Sequence, residues 1–315
     1  DLDRNLQDVK ANYAVESFKV DRLPFGHDDV RIYIDNLFLE GYLTPIGITN
    51  SQVLKEHWSL VGVLQDKDQE CKKRISGLMA LCEQTLPVEG ERHQKWLVYA
   101  YRWSELSSSY HLNSSGFSEA RYKELQKKMD EQFSSWMLDK YAGLHNHPPM
   151  PPAMLHHVPK AMAREIDENH SSKTALILID GLALDQWITL RNHLEIPGRM
   201  TESSVFAWVP TVTSVSRQAL FSAKAPYQFA NSIGTTSTEP KAWQQFWADH
   251  SLNKNQVYYE KSLGTGDVDE LIDRLSDRRL RAAGLVINTV DDMMHGMQLG
   301  AAGMHNQVKL WAKSG

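Results

Sequence analysis

The sequence predicts an all-α region, residues 1–152, followed by a three-layer α/β domain, residues 153–315. Two observations carry this reading. Up to about residue 144 apolar residues recur every three or four positions, the period of an amphipathic helix, and strand signals are few. After residue 173 short apolar runs appear (Thr174–Ile179, Val205–Val209, Gly284–Asn288), separated by helix-period stretches. That alternation belongs to a parallel sheet under helices.

In the first region, Val30 to Leu39 reads as a helix stopped by Gly41, a usual C-cap residue. Ser51 to Leu64 reads as a second, with Ser51 as N-cap. Glu70 to Gln84 is a third, ended by Leu86-Pro87, because the residue before a proline is pushed out of the helical region. Gln94 to Leu106, with Trp96, Leu97, Tyr99, Ala100 and Trp103, is a fourth. Ser118 to Tyr141 is the longest, and Leu125, Met129, Phe133, Trp136 and Met137 form one stripe, read as core. The run from His145 to Pro152 holds four prolines and reads as a stiff linker. Near it, His145, His147, His156 and His157 have no cysteine or carboxylate completing a metal set, so they read as exposed or capping. Met154 to Asp167 is expected to be a helix leading into the first strand.

A chain of 315 residues is long enough for two domains with cores of their own. Hydrophobic content of 42% and charged content of 23% describe a soluble globular protein. A net charge of -5 excludes a wholly basic nucleic-acid binder and leaves room for a local basic patch. Cys71 and Cys82 form no disulfide or metal framework, which fits a reducing cytoplasm, and read as small apolar residues on a helix. No apolar run approaches the roughly 20 residues of a membrane span, and no signal peptide opens the chain. Starting at Asp1 and stopping at Lys313-Ser314-Gly315 straight after an apparent helix, the chain is expected to be a piece of a longer protein.

The second region carries the chemistry. Thr174–Ile179 is expected to be a central strand buried on both faces, ending in Asp180-Gly181. Open α/β sheets place their ligands at the carboxyl ends of their strands. A carboxylate buried there needs a cation or strong donors, a metal ion foremost. A helix containing Asp185, read as a surface or cap residue, follows. The strand Val205–Val209 then leads through Pro210-Thr211-Val212 into a helix start at Thr213-Ser214. Hydroxyls there can simply cap backbone N–H groups. The same place suits a nucleophile, because helix N-terminal amides and dipole favour an arriving phosphate. Arg217, one turn on, reads as either a phosphate contact or a helix-surface ion pair. Val257–Tyr259 is a further short strand. Asp267 to Leu280 is a charged helix whose arginines read as a solvated face, with a nucleic-acid backbone as the alternative. After Gly284–Asn288, Asp291 and His295 stand four apart, so one helical turn aims both at one point, a pairing that suits zinc or manganese.

All three candidate groups lie just beyond the carboxyl end of an apolar strand. Together they resemble the alkaline phosphatase superfamily, and Ile179-Asp180-Gly181-Leu182, Val209-Pro210-Thr211-Val212-Thr213 and Val290-Asp291-Asp292-Met293-Met294-His295 look like the PglZ domain of BREX phage-defence systems. The resemblance covers Thr174 to Gly315. It implies an incomplete three-layer alkaline-phosphatase-like α/β domain. It also implies two divalent ions, Zn or Mn: Asp180 on the first, Thr213 as nucleophile bridging toward it, and Asp291 with His295 on the second. The family's later Asp-His pair and its last histidine have no counterpart here, since His305 lacks the preceding aspartate. The resemblance therefore implies weak metal binding and no turnover by this polypeptide. For the full-length protein it implies a cytoplasmic, metal-dependent phosphodiesterase or nuclease-like enzyme. Its substrate is a phosphoester, DNA included, and other BREX proteins dock on the helical region. A phosphomonoesterase and a non-catalytic scaffold remain the alternatives.

Overall fold

The computed structural model describes residues 27–47, 61–64, 67–113, 118–168, 173–194, 200–264, 268–296 and 300–314. The helical part contains α1 (Asp28–Arg31), α2 (Ile34–Leu39), α3 (Lys67–Thr85), α4 (His93–Leu112) and α5 (Glu119–Lys140). Of the expected helix Ser51 to Leu64, residues 51–60 lie outside the described residues. Its end, Val63–Leu64, is a strand (β2) paired in parallel with β1 (Ile46–Gly47). Gly41 adopts a left-handed φ of 79° after α2, where a Cβ would come within 2.6 Å of Glu105 Oε1. Ser118 caps α5, its hydroxyl accepting from the Arg121 N–H. The core joins Ile75, Leu78 and Cys82 of α3 to Trp96, Tyr99 and Leu106 of α4 and to Leu125 and Trp136 of α5. Two guests from the second half, Met154 and Phe206, pack in the same core.

The second half contains a short 3-10 turn, Leu155–His157, then α6 (Val158–Glu168), β3 (Thr174–Ile179), α7 (Leu184–Arg191), α8 (Thr213–Ser222), α9 (Glu239–Asp249), β4 (Val257–Leu263), α10 (Asp269–Ser276), β5 (Ala282–Ile287), α11 (Thr289–Gly296) and α12 (Ala301–Ser314). The three strands form a parallel sheet in the order β3-β5-β4. Two expectations are corrected here. β5, not β3, is central, and β3 is buried on one face only. Ala175 and Ile177 face solvent, Ile177 with 58% of its surface exposed. Val205–Val209 is not a strand of the sheet. It makes a single parallel bridge, Phe206 to Met154, because its aromatic residues serve the helical core instead. One face of the sheet is covered by α6, α8 and α9, through Ala163, Ile166, Phe221, Trp243, Phe246 and Trp247. Gly284 of β5 lets Phe221 and Trp243 approach the sheet, since a Cβ would sit 3.0 Å from each ring. The charged helix α10 is shorter than expected, because Asp277 turns to hold the N–H and guanidinium of Arg279.

α4 packs against α7 and α12, joining the two halves. It runs past the expected Leu106 through Ser107, Ser108 and Ser109, all buried. Their hydroxyls explain the continuation, because polar side chains buried at a seam need partners. Ser107 donates to Asp185 Oδ2 at 2.7 Å, and Ser108 shares a 2.9 Å hydrogen bond with Thr189. His305 of α12 lies between Thr189 (2.8 Å) and Asp185 (3.2 Å). Asp185 Oδ1 also accepts from the Gln186 N–H, but the N-cap of α7 is Ala183, so Asp185, expected as a surface or cap residue, is a seam residue instead. Beside it Glu105 is gripped by Arg74 at 2.6 Å and Arg191 at 2.7 Å, and Arg191 also holds Glu202 at 2.6 Å.

Candidate active site

Parallel strands put all their carboxyl ends on one edge of the sheet, and the local chain conformation decides what gathers there. β3 and β5 run in register, Ile179 opposite Ile287, and the Asp180 N–H donates to the Ile287 carbonyl at 2.8 Å. Gly181 then turns with φ of 73°. A Cβ at this position would lie 2.6 Å from Met294 Cε and 3.2 Å from Asp291 Cα. Glycine is therefore what allows α11 to seat against the end of β3, with Asp291 beside the Asp180-Gly181 turn.

Asp180 is buried, with 6% of its surface exposed. Its Oδ2 accepts from Arg217 Nη1 at 2.8 Å. The same guanidinium donates from Nε to Glu239 Oε1 at 2.8 Å and from Nη2 to Glu239 Oε2. Tyr259 of β4 also donates to Glu239. Burial raises the Tyr259 pKa, and the neighbouring Glu239 carboxylate raises it further, which keeps the phenol a neutral donor. Burial pulls the Arg217 pKa down, but its bonds to Glu239 and Asp180 more than offset this. Two carboxylates thus share one guanidinium, leaving a buried array of net charge about -1 with the acids ionised. Among the described residues no group donates to the second oxygen of Asp180, Oδ1.

Thr213 is the first residue of α8, with Val212 as extended N-cap. Arg217 lies one turn further along, about 6 Å at the rise of an α-helix. Its bond to Asp180 therefore ties the start of α8 to the carboxyl edge of the sheet. The first amides of any helix have no intrahelical acceptor, and the helix dipole makes this end attractive to anions. On α11, Asp291 Oδ1 and His295 Nε2 are 3.6 Å apart; the imidazole is 79% exposed and the carboxylate 23%.

The structure thus joins Asp180 to the helix of Thr213 through Arg217, packs Gly181 on Asp291 and pairs Asp291 with His295. Arg217 is buried, 4% exposed, and its donors are engaged by carboxylates. Glu239, wholly buried, and Tyr259 were not singled out in the sequence. Glu239 is the first residue of α9, and no local signal names a partner 22 residues away. Of the histidines near the linker, His157 accepts through Nδ1 from the Ala153 and Met154 N–H groups. His156 is buried, and burial pushes its pKa down to about 4.

Residues 158–313 match the family model described as the BREX system PglZ alkaline phosphatase-like domain. This chain carries a PglZ domain. The match begins at the first residue of α6 and takes in the whole sheet, α7, α8, α11 and nearly all of α12. The family is alkaline phosphatase-like, which makes this a domain of the phosphohydrolase kind belonging to BREX defence. No curated protein matches the chain. Among the described residues no helix is long and apolar enough to cross a membrane.

The alkaline phosphatase-like superfamily generally uses divalent metals. Among the described residues of this PglZ chain, no three His, Cys, Asp or Glu side chains group as a metal site. The donors at the sheet edge are nonetheless of the right kind: a carboxylate oxygen on Asp180 without a donor, and a carboxylate–imidazole pair on α11. A surplus buried negative charge beside them also favours a cation. In kind and in charge they fit a divalent ion.

Proposed function

We propose that the carboxyl edge of the sheet is the centre of a metal-dependent phosphodiesterase with Thr213 as nucleophile. The observation that carries this is the bond from Arg217 to Asp180, which fixes the start of α8 beside the Asp180-Gly181 turn and so beside α11. Asp180 and Thr213 would hold one divalent ion, Zn or Mn, and Asp291 with His295 a second. Ions there supply the charge that makes a threonine alkoxide accessible at neutral pH.

The Thr213 hydroxyl oxygen attacks phosphorus in line with the leaving oxygen. An O–P bond forms on Thr213 as the P–O bond to the leaving group breaks. The leaving alkoxide takes up a proton, and water then cleaves the phosphothreonine ester, restoring the hydroxyl. The N-terminal amides of α8 face the equatorial phosphate oxygens and stabilise their charge. We assign Arg217 to holding Asp180 and not to the phosphate, because both arms of its guanidinium are already on carboxylates. The substrate class is a phosphoester, DNA included. We also propose that the division at residues 152/153 separates a helical region, where other BREX proteins dock, from the PglZ domain, and that the protein works in the cytoplasm.

The test is turnover of aryl phosphodiesters and monoesters by the full-length protein with zinc or manganese. Diester cleavage that falls at least about a thousandfold in Thr213→Ala is the expected result, in line with loss of a covalent nucleophile. Cleavage of monoesters alone would make the protein a phosphomonoesterase, and no difference from Thr213→Ala would overturn the nucleophile assignment.

A further inference from the structure

The segment leading into Thr213 is held by the helical part and by the stretch Ala153 to His156 that follows it, and not by the sheet. Ser204 donates to the Leu97 carbonyl on α4 at 3.4 Å. The Phe206 N–H donates to the Ala153 carbonyl at 2.9 Å, and the Leu155 N–H donates to the Phe206 carbonyl at 3.0 Å. Its ring lies 5.3 Å from that of Trp136 on α5. Trp208 packs 5.3 Å from His156. Backbone outside a sheet must still find partners for its polar groups. Here Tyr141, in the 3-10 turn that follows α5, provides two. Its hydroxyl donates to the Ala207 carbonyl and accepts from the Val209 N–H at 2.9 Å. Only Pro210, Thr211 and Val212 separate this grip from Thr213, and the proline ring fixes one of the intervening torsions.

We propose that Tyr141 is a positioning residue for Thr213, so that the helical part shapes an active site whose assigned ligands lie in the second half. The proposal rests on the reading of Thr213 as nucleophile. A hydroxyl that must lie in line with a scissile bond is sensitive to displacements of about 1 Å, which can cost on the order of a hundredfold in rate. Tyr141 meets that demand by fixing two backbone groups of one short stretch with a single atom.

The experiment combines Tyr141→Phe with two readouts. Amide hydrogen exchange on the chain should show the Val209 N–H exchanging at least about tenfold faster in Tyr141→Phe, with amides of α8 beyond its first turn unchanged. In the full-length protein, kcat on an aryl phosphodiester should fall about tenfold or more while KM stays within about twofold, the pattern of a misplaced nucleophile with intact binding. An unchanged Val209 amide would overturn the clamp itself. A faster amide with unchanged kcat, in a protein that Thr213→Ala inactivates, would overturn the positioning role. Full activity in Thr213→Ala would instead remove the nucleophile reading beneath it, leaving the exchange result to report the clamp alone.

Discussion

Two carboxylates of this chain, Asp180 buried and Asp185 half-buried, have similar sequence surroundings and opposite environments. Asp180 and Asp185 stand five residues apart, on either side of one turn. At the seam between the halves, Asp185 uses both oxygens: Oδ2 for Ser107 and His305, Oδ1 for the Gln186 N–H. Beside it the acids Glu105 and Glu202 are matched by Arg74 and Arg191. At the sheet edge, among the described residues, Asp180 uses one oxygen, and the guanidinium that holds it is shared with Glu239. The seam is closed, while the edge, among the described residues, has a carboxylate oxygen without a donor and one more acid than base. Closure suits a joint that holds two halves together, and an open, negative edge suits a place where a cation and a phosphate are to be received.

The comparison breaks most visibly if Arg217 is removed. Arg217→Met leaves Asp180 and Glu239 buried without their cation, and a loss of roughly 3–5 kcal/mol in urea unfolding is expected. A loss under about 1 kcal/mol would mean that the edge carries no such charge burden. Asp185→Asn should cost less, roughly 1–3 kcal/mol, because the hydroxyl and imidazole partners at the seam can turn to an amide.

Acidity sharpens the same contrast. Burial raises the Asp185 pKa, but the bonds from His305 and Ser107 bring it below the ordinary 3.8. A depressed carboxylate contributes stability above its unfolded value and loses it as pH falls through the folded one. The seam should therefore weaken below pH 3.8, and Asp185→Asn should remove that part of an acid unfolding profile. His156, neutral in the fold with a pKa of about 4 against an ordinary 6.5, acts at higher pH. The unfolded chain takes up its proton first, so stability falls as pH drops from 6.5 towards 4. His156→Phe should flatten the profile in that window. The smallest effect is expected on α5, where the exposed pair Glu119–Lys123 should leave the melting temperature unchanged in Lys123→Ala.

Local signals were legible in the sequence. The helical half and the Asp291–His295 spacing follow from a period of three to four residues, and the strand ending at Asp180 from a short continuous apolar run. Partners chosen across the fold were not. Nothing near Thr174–Ile179 says that β5 and not β3 takes the centre, since strand order is set by pairing over a hundred residues away. The apolar run at Val205 looks like a strand because Phe206 and Trp208 are apolar for another reason, burial among helices. Ser107 to Ser109 look like a helix end because their partners lie on α7 and α3. Glu239 and Tyr141 carry no local mark of their roles at all, and only the folded chain brings them to Arg217 and to the loop before Thr213.

The difference between the two aspartates is tested most directly by calorimetric titration of Mn2+ into the wild-type chain, Asp180→Asn and Asp185→Asn. An open sheet edge predicts that Asp180→Asn weakens binding at least about tenfold, as loss of a ligand should, while Asp185→Asn binds as the wild type does. Equal behaviour of the two variants, or a wild-type chain that takes up no Mn2+, would contradict it.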